Sequence, residues 1–289
     1  MSTMFFTQRL TSEKISLIDS IRRHKKLGYT KLDLNLCSMG RGESEFNTDN
    51  WRTLAIEARN EADKLGVSFC QGHLPFRSEK FDSNNNNMVN KLEQDTLRAI
   101  EVSAIMGVPW TVVHPVHNDS YPAEAYEEQI EENKKTYQKV VELAGSRNVG
   151  LAFENVSDFR FKRRFASTAN ELIALIEDYS STGIMACWDF GHANLTYGPQ
   201  QTYAIKRIGK YLRALHFADN FGERDDHVAP FLGQIKWEEI MKALHDVDYK
   251  GAIVLEVMQN NNMPDSLKNA SMNFLTEICK YLSDLYYSH

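Results

Sequence analysis

The stretch "MACWDFGHANL" at residues 185–195 contains two residues that could do chemistry. Asp189 ends an apolar run typical of a buried strand, and His192 follows three residues later. A carboxylate and an imidazole are costly to bury unless they pair with other polar groups or with a bound ion. The pair therefore indicates a site whose other members lie elsewhere in the chain.

Further acidic and histidine residues stand at the ends of other predicted strands. With Asp189, the set consists of His73, His114, Glu154, His216 and Glu256. A lone residue of this kind is more often structural, but the position shared by all six favours one common site. Two glutamates, an aspartate and a histidine would suit Mn²⁺, Mg²⁺ or Co²⁺, and Zn²⁺ is also compatible.

Such a centre could activate a substrate that carries a carbonyl group. Four protein ligands leave positions open on a six-coordinate ion, where two neighbouring substrate oxygens could bind. The metal would polarise the carbonyl and stabilise an enediolate. A glutamate beside it could remove the proton from the adjacent carbon. The predicted metal ligands are Glu154, Asp189, His216 and Glu256.

A second polar group follows the seventh predicted strand, in "DDHVAPFLGQIKWEEI" at residues 225–240. Asp225 and His227 are two residues apart, so in an extended loop their side chains point the same way. They either extend the metal site, cover it, or belong to an exposed polar loop.

The elements that must position these residues alternate along the chain. Short β-rich runs lie at 3–6, 31–36, 67–73, 111–115, 150–155, 184–190, 212–219 and 252–257. Helical patterns separate them, for example at 93–107, 125–145 and 168–179, and "SNNNNMVN" at 83–90 is expected to be a solvated loop. This alternation predicts an α/β fold, a (β/α)₈ TIM barrel formed as a single domain by residues 1–289, with the site at the strands' C-terminal ends.

Composition narrows the function further. The formal net charge of −6 gives no general attraction to nucleic acid or anionic membrane. No apolar run is long enough to cross a bilayer, and the N-terminus lacks the pattern of a signal peptide. The four scattered cysteines predict reduced thiols in a cytoplasmic protein. Whether the chain forms a homo-oligomer stays open.

The motifs together resemble the xylose isomerase-like barrels, which include sugar phosphate isomerases and epimerases and endonuclease IV. The matching pieces are "QGHLPF", "VVHP", "FENV", "CWDFGHANL", "LHFADN", "DDHVAPFLGQIKWEEI" and "VLEV". The resemblance implies that the four predicted ligands match those of ketose 3-epimerases and hydroxypyruvate isomerase. It also implies that Glu154 and Glu256 transfer protons and that His192 contacts the substrate. We extend the substrate-binding prediction to His73, His114 and His227.

The same resemblance raises a rival function. Endonuclease IV binds three zinc ions, and all nine of its ligand types can be traced at His73, His114, Glu154, Asp189, His192, His216, Asp225, His227 and Glu256. The negative net charge argues against a grip on DNA. "DFGHANL" and the loop pattern "DxHxxPGxGxIDW" also look like the sugar-enzyme forms, although Phe231, Leu232 and Gln234 depart from that glycine-rich loop.

The leading hypothesis is a metal-dependent isomerase or epimerase of a small sugar or sugar phosphate, with no nucleic-acid or membrane partner. The alternatives are an endonuclease acting on abasic sites, a dehydratase that uses the same enolate chemistry, and a barrel that binds a ligand without turnover.

Overall fold

The computed structural model describes residues 15–77, 81–117, 125–158, 163–179, 183–257 and 263–289. The chain forms two compact units, residues 1–113 with 137–151 and residues 114–136 with 152–289. The single-domain organisation of residues 1–289 stays a prediction. Within the described ranges, no helix has the length and apolar character needed to span a membrane.

The first unit contains three parallel strands and the helices that precede them. Helix α1 (Leu17–Lys26) leads into β1 (Lys31–Asn35), α2 (Trp51–Leu65) into β2 (Ser68–His73), and α3 (Asn86–Met106) into β3 (Trp110–Val113). β1 pairs with β2 and β2 with β3. Helix α4 (Tyr126–Ser146) and strand β4 (Gly150–Glu154) are each divided between the two units.

The second unit continues the same alternation. Its elements are α5 (Ala169–Asp178), β5 (Ile184–Asp189), α6 (Phe190–Tyr197), α7 (Gln201–Ile208), β6 (Leu212–His216), α8 (Trp237–Asp246) and α9 (Asp265–Tyr287). β5 and β6 are parallel, and their register places Asp189 opposite His216. Beyond β6, Phe217 forms an isolated parallel bridge with Leu255, which brings Glu256 to the same edge.

An aromatic core fixes the ends of β5 and β6. Trp188, Phe190, Phe217 and Trp237 are fully buried. The rings of Phe190 and Phe217 lie 4.6 Å apart, and Phe217 stacks on Trp237 at 5.4 Å. Burial of each large apolar side chain stabilises the fold by roughly 1.5–3 kcal/mol. The polar residues at the ends of β5 and β6 are therefore next to a well-packed core.

The predicted alternation of strands and helices is confirmed, and within each unit the paired strands are neighbours in the chain and run parallel. The predicted strand at 252–257 is reduced to the bridge at Leu255, because only Phe217 extends past β6 to pair with it. The predicted strand at 3–6 lies outside the described residues.

The asparagine tract is only partly a loop. Helix α3 begins inside it at Asn86, because the Asn85 side chain accepts hydrogen bonds from the backbone N–H groups of Asn87 and Met88. Asparagine is among the residues that cap helix N-termini best, so the solvated loop expected at 83–90 ends at residue 85.

Candidate functional site

The four predicted metal ligands lie together in the second unit. Glu154 ends β4, Asp189 ends β5, His216 ends β6, and Glu256 follows the bridge at Leu255. One ligand atom from each of the four lies within 4.8 Å of the others, and all four residues are buried. Parallel strands share a C-terminal edge, and this common edge brings residues up to about a hundred positions apart into one cluster.

His216 is at the centre of this metal group, which we define as Glu154, Asp189, His216 and Glu256. Its Nδ1 lies 2.9 Å from Glu154 Oε1 and 3.0 Å from Glu256 Oε2. Burial opposes the charged imidazole, but Cys187 and the carboxylates of Glu256 and Glu154 raise the pKa of His216 well above its usual value. One N–H cannot donate well to both carboxylates, so the group has more negative charge than His216 alone can balance.

The environment of Asp189 fits a bound cation. Its Oδ1 accepts the backbone N–H of His192 at 2.6 Å, whereas its Oδ2 is buried and has no hydrogen-bond partner among the described residues. Burial raises the pKa of Asp189 to about 6. A divalent cation would remove both penalties, because it would bind the unpartnered oxygen and favour the charged carboxylate. The donor set, three carboxylates and one imidazole, therefore fits such an ion.

His114 extends this group toward the solvent. Its Nε2 lies 3.0 Å from Glu154 Oε2, and 27% of its side chain is exposed. Burial raises the pKa of Glu154, but His216 and His114 outweigh it and hold that pKa well below the usual value. Each oxygen of Glu154 thus lies within 3.0 Å of an imidazole nitrogen.

A second cluster, the trio of His192, Asp225 and His227, lies beside the first. Asp225 Oδ2 is 3.2 Å from His192 Nε2 and 2.9 Å from His227 Nε2. Each imidazole donates its Nδ1–H to a backbone carbonyl, His192 to Asn155 and His227 to Glu256, both at 2.8 Å. These bonds fix the rings so that both Nε2 atoms face the same carboxylate, and the trio could hold either two protons or a cation.

The carboxylates around the trio favour the charged forms of its two histidines. Burial opposes protonation of His227, but Asp225 raises its pKa to about 10. Burial likewise opposes the charge on His192, yet Asp189 and Asp225 raise its pKa well above the usual value. With Asp225 ionised, the trio would carry net positive charge next to the carboxylates of the metal group. His192 Nδ1 itself stays 3.7 Å from Glu154 Oε1.

His73 belongs to the first unit, at the end of β2. Its Nδ1 lies 2.9 Å from the carbonyl oxygen of Leu74 and 3.2 Å from the Sγ of Cys37. Both side chains are buried. Its substrate-binding role stays a prediction.

The sequence reasoning assigned no role to Asn155 or Cys187. Asn155 follows Glu154 and bridges β4 to β5, since its Oδ1 accepts the Asp189 N–H at 2.7 Å and its Nδ2 donates to the Asp189 carbonyl at 3.0 Å. Cys187 lies beside Glu154 and His216, but burial raises the pKa of its thiol to about 12.

Asp219 organises the loop that supplies the trio. Its carboxylate accepts five hydrogen bonds, from the backbone N–H groups of Asn220, Phe231, Gln234 and Ile235 and from the indole of Trp237. Its own backbone exchanges two hydrogen bonds with Val228, next to His227. The signal for it in the sequence is a carboxylate directly after an apolar strand, in "LHFADN".

The departures from the glycine-rich loop pattern have a structural cost. Phe231 has a φ of 73°, a left-handed conformation that a bulky residue rarely adopts. Its N–H donates to Asp219 Oδ2, and its ring packs on Tyr281 at 5.5 Å. The loop thus retains a left-handed turn at Phe231, which these contacts help to hold. Gly233 is essential, because a Cβ there would come within 2.2 Å of Asp219 Oδ1.

Comparison with known proteins places this geometry in a family. The sequence model of the xylose isomerase-like TIM barrels matches residues 21–278, which confirms the barrel fold. A D-psicose 3-epimerase of Enterocloster bolteae is 25% identical over 224 residues, 74% of this chain and 70% of that enzyme. An uncharacterized protein of Methanocaldococcus jannaschii is 28% identical over 199 residues, and the match spans 68% of this chain but only 66% of that protein.

Solved structures show the same fold at lower identity. The D-psicose 3-epimerase from Clostridium cellulolyticum H10, solved with D-tagatose, superposes with a TM-score of 0.73 at 16% identity, over 98% of both chains.

Proposed function

The chain belongs to the xylose isomerase-like TIM barrel family, and from this premise we propose that it is a divalent-metal-dependent epimerase or isomerase of a small sugar or sugar phosphate. The observation that carries the proposal is the pair of glutamates around His216. Glu154 and Glu256 approach the same nitrogen at 2.9 and 3.0 Å, so two potential bases flank one point. The relatives that are named as D-psicose 3-epimerases support a sugar substrate.

When bound at the metal group, a divalent cation would polarise the substrate carbonyl. It would thereby make the C–H bond on the adjacent carbon more acidic. One glutamate then removes the proton from that carbon, which leaves an enediolate of the sugar. In an epimerase the second glutamate returns a proton to the opposite face, and in an isomerase the proton is delivered to the neighbouring carbon. Glu256, with 11% of its side chain exposed, is more accessible than Glu154 at 1%.

The histidines around the glutamates would bind and orient the sugar. His114 holds Glu154 Oε2 at 3.0 Å and keeps that carboxylate in the orientation needed for proton transfer. His192 and His227 would place positive charge next to the bound sugar, because their ring nitrogens already bond to Asp225 and to backbone carbonyls. We also propose a cytoplasmic location, since the four cysteines are free thiols.

The test is metal content followed by solvent exchange. The purified protein is stripped with EDTA, reloaded separately with Mn²⁺, Mg²⁺, Co²⁺ or Zn²⁺, and incubated in D₂O with a panel of ketoses and ketose phosphates. We expect deuterium to appear at the carbon next to the carbonyl only in metal-loaded samples. No incorporation with any ion and any sugar would overturn the proposal.

A second candidate function, cleavage of DNA at abasic sites, is favoured by the trio, because His192, Asp225 and His227 offer ligand atoms within 4.8 Å of one another. The net charge of −6 opposes it, since DNA binding depends on basic side chains at phosphates. We expect no nicking of an abasic-site duplex at physiological salt. Robust metal-dependent nicking would reverse this ranking, and formation of a dehydrated sugar in the exchange assay would favour the dehydratase.

A further inference from the structure

A cavity of about 390 Å³ lies in the second unit, and no described residue of the metal group or the trio lines it. Its walls come from the end of α6, the start of α7 and the first turn of α8 with the loop that precedes it. This volume lies in the range of small-molecule sites, which hold a ligand with a few well-placed polar groups.

One of the lining residues is an amide whose oxygen lacks a hydrogen-bond partner among the described residues. Gln201 is only 3% exposed, and its Oε1 makes no hydrogen bond to any described residue. A buried polar atom left unsatisfied is destabilising, and native proteins keep few of them. Asn194, 8% exposed, is held beside it on the same cavity by a hydrogen bond from its Nδ2 to Asn220 Oδ1.

The charged residues of the cavity compensate each other. Lys236 Nζ lies 3.4 Å from Glu239 Oε1, and the two side chains are 61% and 52% exposed. They therefore form a neutral, solvated rim and do not leave an unpaired charge inside. The remaining lining is amide, hydroxyl or apolar, with Thr202 and the buried Ile240 as examples.

From this lining we propose that the cavity binds a neutral polyhydroxylated molecule, either a free sugar or the far end of a longer sugar substrate. Hydroxyl groups can both donate to and accept from Gln201, Asn194 and Thr202, whereas an anion would find Lys236 already paired. An exposed apolar lining residue such as Pro199 suits the C–H side of a sugar ring.

Two residues of the loop that departs from the sugar-enzyme pattern also line the cavity. Gln234 and Lys236 both line it, and Lys236 stands where the pattern "DxHxxPGxGxIDW" has aspartate. The Asn220 amide that holds Asn194 also donates to the Gly191 carbonyl at 2.8 Å, between Asp189 and His192. An occupant would thus contact Asn194, which is linked through Asn220 to the backbone two residues after Asp189.

The test reads binding at the cavity itself. Protein labelled with ¹³C at isoleucine δ1 methyl groups is titrated with D-fructose, D-glucose and sucrose, and the Ile240 signal is assigned with Ile240→Val. We expect a saturable shift of that signal. The affinity for the sugar should fall about tenfold or more in Gln201→Met and in Gln234→Gly, which is the loss expected for one hydrogen bond. It should stay unchanged in the control Lys242→Gln, which lies on α8 with Ile240 but does not line the cavity.

Absence of an Ile240 shift with every neutral sugar, or equal affinity in both glutamine variants and wild type, would overturn the proposal. A larger shift with inorganic phosphate than with the sugars would overturn the neutral class. Removal of metal with EDTA separates the two sources: a free sugar still binds, whereas the far end of a longer substrate needs the metal centre. Because the readout needs no turnover, failure of the proposed reaction leaves this test intact.

Discussion

Replacement of Asp219 by Asn should release the loop that carries Asp225 and His227. The carboxylate accepts three hydrogen bonds at Oδ1 and two at Oδ2, the latter from Phe231 N–H at 3.2 Å and the Trp237 indole at 2.8 Å. The single oxygen of asparagine can keep the first three. Its NH₂ group would then face two donors.

The magnitude follows from the two bonds that are lost. Hydrogen bonds to a charged group contribute roughly 1.5–3 kcal/mol each, so Asp219→Asn should lower the free energy of unfolding by about 3–6 kcal/mol. That is a large fraction of the roughly 5–15 kcal/mol typical of a whole protein. Urea unfolding followed by tryptophan fluorescence measures it, because Trp237 donates directly to this carboxylate.

Asp248→Asn is the matched control, because Asp248 is 78% exposed and should change stability by less than about 0.5 kcal/mol. If Asp219→Asn proves too unstable, the Trp237→Phe background removes one of the two opposed donors. In the Trp237→Phe background, Asp219→Asn should lower the free energy of unfolding by less than it does in the wild-type protein. The difference between the two losses measures the coupling between Asp219 and Trp237. A loss at Asp219 no larger than at Asp248 would refute the reasoning.

The remaining predictions concern the site and one buried histidine. Glu154→Gln and Glu256→Gln should each lower sugar turnover by at least about 10²-fold, the lower end of general-base contributions, and full activity in both variants would exclude the two-glutamate mechanism. His192→Ala should raise KM or lower kcat while the metal content of the first site is unchanged, which elemental analysis of the same samples checks. Addition of Mn²⁺ to stripped protein should raise Tm, by a stabilisation of about 2.7 kcal/mol at a hundredfold excess over Kd, and Asp189→Asn should abolish that rise. Burial lowers the pKa of His24 from about 6.5 to about 3, so the unfolded state binds the extra proton between those values. Stability should therefore fall by about 1.4 kcal/mol per pH unit as the pH drops below about 6.5, and urea melts of His24→Phe should lack this component.

The sequence was sufficient to predict which strand-end residues lie close together. Glu154, Asp189 and His216 each end an apolar run, and parallel strands bring such ends to one edge regardless of their separation in the chain. Glu256 was found by the same rule even though its strand is reduced to one bridge.

Residues that act through long-range backbone contacts could not be found in this way. The donors to Asp219 lie up to 18 positions away, in a loop whose path no periodicity predicts. Asn155 is recognised only when β4 and β5 are seen side by side. The start of α3 inside the asparagine tract was missed because a polar run was interpreted by its composition, although Asn85 acts as a single capping residue.

The pairing of β5 with β6 has a consequence for how the protein tolerates changes in chain length. Ala186 pairs with Leu212 but Cys187 pairs with Ala214, so Arg213 is passed over in the register. A bulge of this kind adds one unpaired residue to one strand, so the pairing on one side of it does not determine the pairing on the other side. An insertion or deletion at the start of β6 could therefore be absorbed at Arg213, while one between Ala214 and His216 would turn the His216 side chain to the opposite face of the sheet. Lineages of this barrel should accordingly vary in strand length before this position and keep a fixed residue count after it.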